Sequence, residues 1–156
     1  MSRVSERLLE LDVQIPDVVA PVAAYVPAVV SDNLVFTSGQ LPFVNGKLGR
    51  TGKVGEGQGL VSPSEAKSLA QAAVINALAA VESVIGSLDR VTRIVKVTGF
   101  VASDPSFTGQ PGVINGASEF LVDVFGEAGI HSRSAVGVAV LPLDSPVEVE
   151  VILSFD

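Results

Sequence analysis

Two acidic side chains near the end of the chain are the first residues whose type and spacing suggest chemistry. Glu148 and Glu150 alternate with valines in residues 147–153. Alternate side chains of a strand point the same way, so both carboxylates are predicted to lie on one face of a closing strand. Such a pair can transfer protons or position a water. The other interpretation is a solvated strand face; in a packed sheet, burial would raise the pKa of a glutamate.

Four further residues are candidates for a small-molecule site, each with a plainer interpretation. His131, the single histidine, can act as a base or ligand, or can cap a loop. Gly39 ends a predicted strand, where it lets a ligand approach the backbone or merely allows a turn. Tyr25, the single tyrosine, can close a pocket or place its hydroxyl in the core. Asn115, inside a predicted helix, can contact a ligand or face solvent.

The elements that must position these residues follow from hydrophobic period and capping signals. Ser62 as N-cap, Pro63 at the first helical position and Glu65 three residues after the cap predict a long helix that ends at Gly86. A second helix is predicted from about residue 109–113 to about 128, with Gly129 following it. A short amphipathic helix is predicted over residues 2–11. Strands are predicted at residues 25–30, 33–38, 41–44, 47–48, 94–102, 133–141 and 147–153.

This order of elements predicts an α+β domain, with a mixed sheet and both long helices on one face. The other sheet face also carries apolar side chains, and the sequence offers no third long helix to cover it. Exposed apolar patches of that size mark interfaces. The sequence therefore predicts that copies of the chain associate through the sheet.

Length and composition exclude several classes of protein. The chain has 156 residues, which fits one domain, and its net charge is −7. The basic residues are scattered, so nucleic acid is not expected as a stable partner. The chain has no cysteine, and too few possible ligands at suitable spacing to predict a transition-metal site. We find no signal-peptide pattern and no apolar run near the ~18 residues of a membrane span, which predicts a cytoplasmic protein without a membrane partner.

Motifs spread over the chain resemble the Rid (YjgF) family, also labelled the endoribonuclease L-PSP or translation-inhibitor family. The resemblance runs in order from about residue 20 to 155, which predicts a family domain over residues 20–156 and an N-terminal extension over residues 1–19 with a short helix. The matching segments are residues 25–27 (YVP), 35–42 (VFTSGQLP), 94–101 (IVKVTGFV), 114–117 (INGA), 133–136 (RSAV), 141–142 (LP) and 147–151 (VEVEV).

The resemblance implies a chorismate-mutase-like fold and a homotrimer that assembles through the sheet, with ligand clefts between subunits. It also implies the reaction of the founding members, which hydrolyse enamine or imine intermediates to 2-keto acids and ammonia. No cofactor is required for that reaction.

The resemblance further implies roles for individual residues. Tyr25 matches the pocket tyrosine, Gly39 the strand-end glycine and Asn115 the helix asparagine. Glu150 matches the glutamate that positions the attacking water, and is the predicted catalytic residue.

One position departs from the pattern of the deaminases. Their substrate carboxylate is bound by an arginine in a Val-Ala-Arg-Leu-Pro segment, and Val140 stands at that position. Loss of a bidentate guanidinium contact weakens binding by about 2–4 kcal/mol. Arg133, an arginine that the family also has, is not expected to replace it.

The sequence thus predicts a trimer that binds or transforms a small metabolite in an intersubunit cleft, and predicts that the standard imine deamination is lost. Two alternatives stay open. One is a ligand-binding or regulatory module without catalysis, and the other is the deaminase or endoribonuclease activity that the family labels suggest.

Overall fold

The computed structural model describes residues 3–21 and 23–156. Three α-helices and seven strands appear in this part of the chain. The helices are α1 (Val4–Glu10), α2 (Pro63–Ile85) and α3 (Gln110–Phe125). The strands are β1 (Ala28–Ser31), β2 (Leu34–Thr37), β3 (Phe43–Val44), β4 (Lys47–Leu48), β5 (Val91–Ala102), β6 (Ser132–Val138) and β7 (Val147–Phe155).

Five strands form one mixed sheet in the order β1-β2-β7-β5-β6, and β3 and β4 form a separate hairpin. β5 and β6 run parallel because α3 crosses between them, and the other pairs of the large sheet are antiparallel. Val147, Val149, Val151 and Leu153 of β7 are buried in the core with side chains of α2 and α3. The predicted α+β architecture, with two long helices on one face of a mixed sheet, is confirmed.

The central helix α2 begins and ends where its capping residues predict. The Ser62 hydroxyl accepts a hydrogen bond from the Glu65 N–H at 3.2 Å, and Gly86 ends the helix with φ +86°. This 23-residue helix is long and apolar enough to span a membrane, which the sequence prediction did not find. However, 56% of its most apolar window is buried inside the domain, so it serves as the core helix.

Several element ends differ from the prediction. Gly126, with φ +61°, ends α3, so Gly129 is not the residue after the helix; it ends a following 3₁₀ turn, Gly126–Gly129. β6 ends at Val138, three residues early, which leaves Val140 outside the strand. Tyr25 lies in a bend before β1 rather than in a strand. The end of α3 coincides with a glycine at positive φ, which is a local signal that the prediction assigned to the wrong glycine.

The sheet face opposite the helices is uncovered in this chain. Cross-strand neighbours Val29, Phe36 and Ile152 form one row, and Phe100 lies between Glu148 and Val136 in another. Phe36 keeps 39% of its surface exposed and Val136 keeps 44%. An apolar sheet face with this exposure is typical of an interface. Association through it stays a prediction.

The N-terminal segment packs on the rest of the domain. The Ser5 N–H and hydroxyl both donate to the Asp89 carboxylate at 2.9 Å, and Arg7 donates to the Asp123 carbonyl at 2.8 Å. Leu8 is buried in the common core. The predicted helix over residues 2–11 is observed as Val4–Glu10, and residue 2 lies outside the described residues.

Candidate functional site

A cavity of about 320 Å³ lies beside the end of β2 and the start of β7. Its polar lining comes from Tyr25, Gly39, Gln40 and Glu148. The other described residues that line it are apolar: Val19, Ala20, Pro21, Pro27, Leu41, Phe43, Pro142 and Leu143. Glu148 is the one formally charged residue among these twelve. The volume is at the small end of ligand pockets.

Glu148 reaches this cavity from the second position of β7. Its side chain is on the uncovered sheet face, and it is half-buried. Burial raises the pKa of the Glu148 carboxyl, and the negative charge of Glu150 on the same face raises it further. A half-buried carboxyl with a raised pKa beside a cavity is a candidate acid–base group.

Gly39 is required for the position of the Glu148 side chain. A Cβ atom at residue 39 would lie 2.7 Å from Glu148 Cδ and 2.9 Å from its Oε2. Such distances are shorter than van der Waals contact, so any larger residue would displace the carboxylate. Gly39 therefore allows the Glu148 carboxylate to lie against the backbone of the segment that follows β2.

The wall beside Gly39 is fixed by hydrogen bonds to β7 and α2. The Gln40 N–H donates to the Val149 carbonyl at 2.8 Å, and the Val149 N–H donates back at 3.0 Å. The Asn76 side-chain amide donates to the carbonyls of Leu41 (2.9 Å) and Phe43 (3.0 Å). Asn76 is 3% exposed, and neither it nor Gln40 was predicted as a site residue. The available signal was a lone asparagine inside an Ala-rich helix.

Tyr25 lies at the mouth of the cavity, with 47% of its surface exposed. Its N–H donates to the Ala23 carbonyl at 2.9 Å. The Ser38 hydroxyl donates to the Val26 carbonyl at 2.7 Å, which ties this bend to the end of β2. The tyrosine is therefore held beside Gly39 and Glu148, and its hydroxyl is available to a bound molecule.

A second polar cluster lies between α3 and β6. Arg133 Nη1 donates to Asn115 Oδ1 at 2.8 Å and to Ser118 Oγ at 3.2 Å. His131 Nδ1 lies 2.6 Å from the Gly129 carbonyl, which can only accept, so Nδ1 carries the proton. His131 Nε2 lies 2.9 Å from the same Ser118 hydroxyl. The cluster fixes the guanidinium of Arg133 in one orientation.

The two clusters lie on opposite faces of the sheet. Arg133 is paired with Val97, whose side chain is buried under the helices, whereas Glu148 is paired with Phe100 on the uncovered face. One small ligand cannot contact both within a single copy of the chain. The structure brings Tyr25 and Gly39 together with Glu148, and it brings Asn115 together with Arg133.

Glu150 and Val140, which the resemblance singled out, are both outside the lining of the cavity. Glu150 is paired with Thr98 in the middle of the uncovered face. Val140 follows the end of β6 and is 65% exposed. Their predicted roles stay predictions. Over the described residues 3–21 and 23–156, there is no group of three or more acidic or histidine side chains that could hold a metal ion.

The fold and the cavity define a chorismate-mutase-like α+β protein with a small, largely apolar site beside a half-buried carboxyl. The family model described as "YjgF/chorismate mutase-like, putative endoribonuclease" matches residues 5–154. The chain belongs to this family, which confirms the resemblance seen in the sequence. The match begins within α1, at residue 5.

Three relatives illustrate the relationship. Protein TCP17 of Trypanosoma cruzi is 39% identical over 161 residues, which cover 99% of this chain and 95% of that protein. The crystal structure of protein Atu1372 from Agrobacterium tumefaciens is 42% identical, with a TM-score of 0.89 over 98% of this chain and 92% of that one. TdcF of E. coli, solved with bound serine, is 25% identical, with a TM-score of 0.61 over 90% of this chain and 93% of that one.

Proposed function

We propose that this protein is a cofactor-free hydrolase that converts a small imine or enamine metabolite to a 2-oxo acid and ammonia. The observation that carries the proposal is the half-buried Glu148 carboxyl, with its raised pKa, in a small apolar cavity. Glu148 takes the acid–base role here in place of the predicted Glu150, since Glu150 does not line the cavity.

The reaction needs one group that gives and takes protons. Protonated Glu148 donates its proton to the imine nitrogen, which makes the neighbouring carbon more electrophilic. Water then adds to that carbon, and the Glu148 carboxylate accepts the proton that the water loses. Glu148 then passes this proton to the nitrogen. The C–N bond breaks as the carbonyl forms, ammonia leaves, and the Glu148 carboxylate takes the hydroxyl proton, which returns it to its starting form. The sum is R₂C=NH + H₂O → R₂C=O + NH₃, with no redox change.

The substrate carboxylate needs a cation that the cavity does not contain, because no Lys or Arg is among its described lining residues. In the proposed homotrimer, Arg133 of a neighbouring copy supplies it. The position of β6 at the edge of the sheet supports this role, and Asn115 and Ser118 hold the guanidinium of Arg133 in one orientation. Val140 stands where the deaminases have their carboxylate-binding arginine, and the prediction that this abolishes imine deamination is the alternative to the present proposal. The imine assay below decides between the two.

The serine bound to TdcF supports a ligand of amino-acid size in this family. A molecule of that size fits a cavity of about 320 Å³.

The test compares Glu148→Gln with Glu150→Gln as the matched control on the same strand face. The assay follows hydrolysis of 2-iminopropionate, generated from alanine by an amino-acid oxidase, in competition with semicarbazide. We expect Glu148→Gln to lower kcat/KM by about 10²–10⁴-fold, the usual contribution of a general acid–base group. Glu150→Gln should retain most of the activity.

Full activity of Glu148→Gln would contradict the proposal. If neither the wild type nor the variants hydrolyse the imine, but the wild type binds 2-oxo acids, the protein is a ligand-binding module rather than this enzyme. Arg133→Lys checks the anchor separately: it keeps the charge but loses the bidentate contact, so KM for the imine should rise.

A further inference from the structure

Leu143, at one wall of the cavity, has a backbone conformation that is unusual for leucine. Its φ is +58° and its ψ is 22°, and the next residue, Asp144, also has φ +58°. The left-handed region is normal for glycine and tolerated by aspartate, but it is unfavourable for a leucine. Strain of this kind persists where the surrounding structure enforces it, and it clusters at ligand sites.

Hydrogen bonds around the turn enforce this conformation. The Gly52 N–H donates to the Asp144 carbonyl at 2.8 Å, and the Asp144 N–H donates to the Leu141 carbonyl at 3.1 Å. The Ser145 N–H donates to the Pro142 carbonyl at 3.1 Å, and its buried hydroxyl donates to the backbone of β7 at 2.8 Å. Leu143 stays 60% exposed although it lines the cavity, so the enforced turn places an apolar side chain at the cavity mouth.

The N-terminal segment supplies a second apolar wall. Residues 19–21 line the cavity and follow directly from a stretch attached to the core at Leu8, Val13 and Ile15. The Val13 N–H donates to the Leu8 carbonyl at 2.9 Å, and Ser5 binds Asp89 as described above. The chain that leads to residues 19–21 is therefore anchored on the domain before it reaches the cavity.

We propose that Leu143 and residues 19–21 form a side-chain subsite that selects ligands with an apolar aliphatic side chain over ligands with a methyl or hydroxymethyl group. The hydrolysis of these ligands rests on the proposed function. The preference for an apolar side chain concerns binding, so it can be measured without the reaction. The lining offers apolar groups on these two sides and polar groups only around Glu148. A ligand therefore places its reacting carbon at Glu148 and its side chain against Leu143 and Val19.

The experiment compares the imines derived from leucine and from alanine. We expect the wild type to have the higher kcat/KM with the leucine-derived imine. Leu143→Gly should lower the ratio of the two kcat/KM values by about tenfold, in the range that a few methylene contacts provide. The same variant should unfold at a temperature no lower than the wild type, because glycine relieves the strain at φ +58°. Val19→Thr, which keeps the volume but adds a hydroxyl, should shift the ratio in the same direction.

Asp144→Gly is the matched control, because it relieves the same backbone conformation at a residue that does not line the cavity. Its ratio should equal that of the wild type. An unchanged ratio in both Leu143→Gly and Val19→Thr would overturn the subsite, as would an equal change in Asp144→Gly, which would assign the effect to turn flexibility.

Binding separates this proposal from the reaction. Affinities for 4-methyl-2-oxopentanoate and pyruvate are measured by ¹H–¹⁵N NMR titration. If no imine is hydrolysed but 4-methyl-2-oxopentanoate binds more tightly in a Leu143-dependent manner, the reaction fails and the subsite stands. If both imines are hydrolysed and the ratio of the two kcat/KM values is unchanged in Leu143→Gly, the subsite is wrong and the proposed reaction stands. Binding of neither 2-oxo acid, without turnover, would overturn both.

Discussion

Replacement of Asn76 by alanine tests how the wall of the cavity is held in place. Asn76 is on α2, and its amide donates both of its hydrogens, to the carbonyls of Leu41 and Phe43. Both acceptors belong to residues that line the cavity. The substitution removes the two hydrogen bonds and leaves the backbone, the sheet and the capping of α2 unchanged.

The expected loss follows from the two bonds. A net hydrogen bond contributes about 0.5–1.5 kcal/mol, and a buried acceptor left without its donor costs about 1–3 kcal/mol. The Leu41 carbonyl keeps a second donor, the Phe43 N–H at 2.9 Å, so the free-energy loss from removing its bond to Asn76 is at the low end of this range. We therefore expect Asn76→Ala to lower the free energy of unfolding by roughly 2–3 kcal/mol. In a domain of this size, that corresponds to a fall in Tm of about 5–10 °C.

Urea denaturation and thermal unfolding measure this loss, with Gln71→Ala as the control because residue 71 is exposed on the same helix. The control should change stability by less than ~0.5 kcal/mol. Asn76→Asp, which keeps the shape but faces the two carbonyls with a carboxylate, should be at least as destabilising, and more so as pH rises. A loss below ~1 kcal/mol in Asn76→Ala would refute the reasoning, because the two bonds would then be replaced by water.

Two other substitutions probe the Glu148 carboxyl. Gly39→Ala forces the carboxyl away from its position, because the new Cβ would lie 2.7 Å from Glu148 Cδ, so turnover should fall steeply while stability changes little. Gly49→Ala is the control, since a Cβ there would meet no atom within 4 Å. Retained turnover in Gly39→Ala would contradict the geometry. Glu150→Gln removes the smaller cause of the raised pKa, so the Glu148 pKa in a ¹³C NMR titration should fall part of the way to its usual value. Because the raised pKa means that the folded state binds this proton more tightly than the unfolded chain, stability should decrease as pH rises from the ordinary glutamate pKa through the raised one. Glu148→Gln should abolish that decrease, and an unchanged pH dependence would show that burial does not perturb this carboxyl.

The sequence predicted those elements whose ends are set by nearby residues. Ser62, Pro63 and Gly86 are enough to define α2, because capping is a contact between residues a few positions apart. The Asn45-Gly46 turn, with φ of +52° and +76°, likewise defines the β3–β4 hairpin. Prediction was less accurate for β6 and for the end of α3. The sequence offers both Gly126 and Gly129 as residues that can end α3, and apolar residues continue past Val138, where β6 ends.

By itself, the sequence determined the family and the α+β layering, and it predicted a site on the closing strand. Only the tertiary structure decided which of its two glutamates enters the cavity. Both alternate with valines in the same way, so no local pattern separates Glu148 from Glu150. The difference comes from strand pairing and chain position: Glu148 lies opposite Phe100 and beside Gly39, which is more than a hundred positions earlier, whereas Glu150 lies opposite Thr98. The same holds for Arg133 and Glu148: strand pairing places them on opposite faces, and pairing between distant segments exists only in the folded chain.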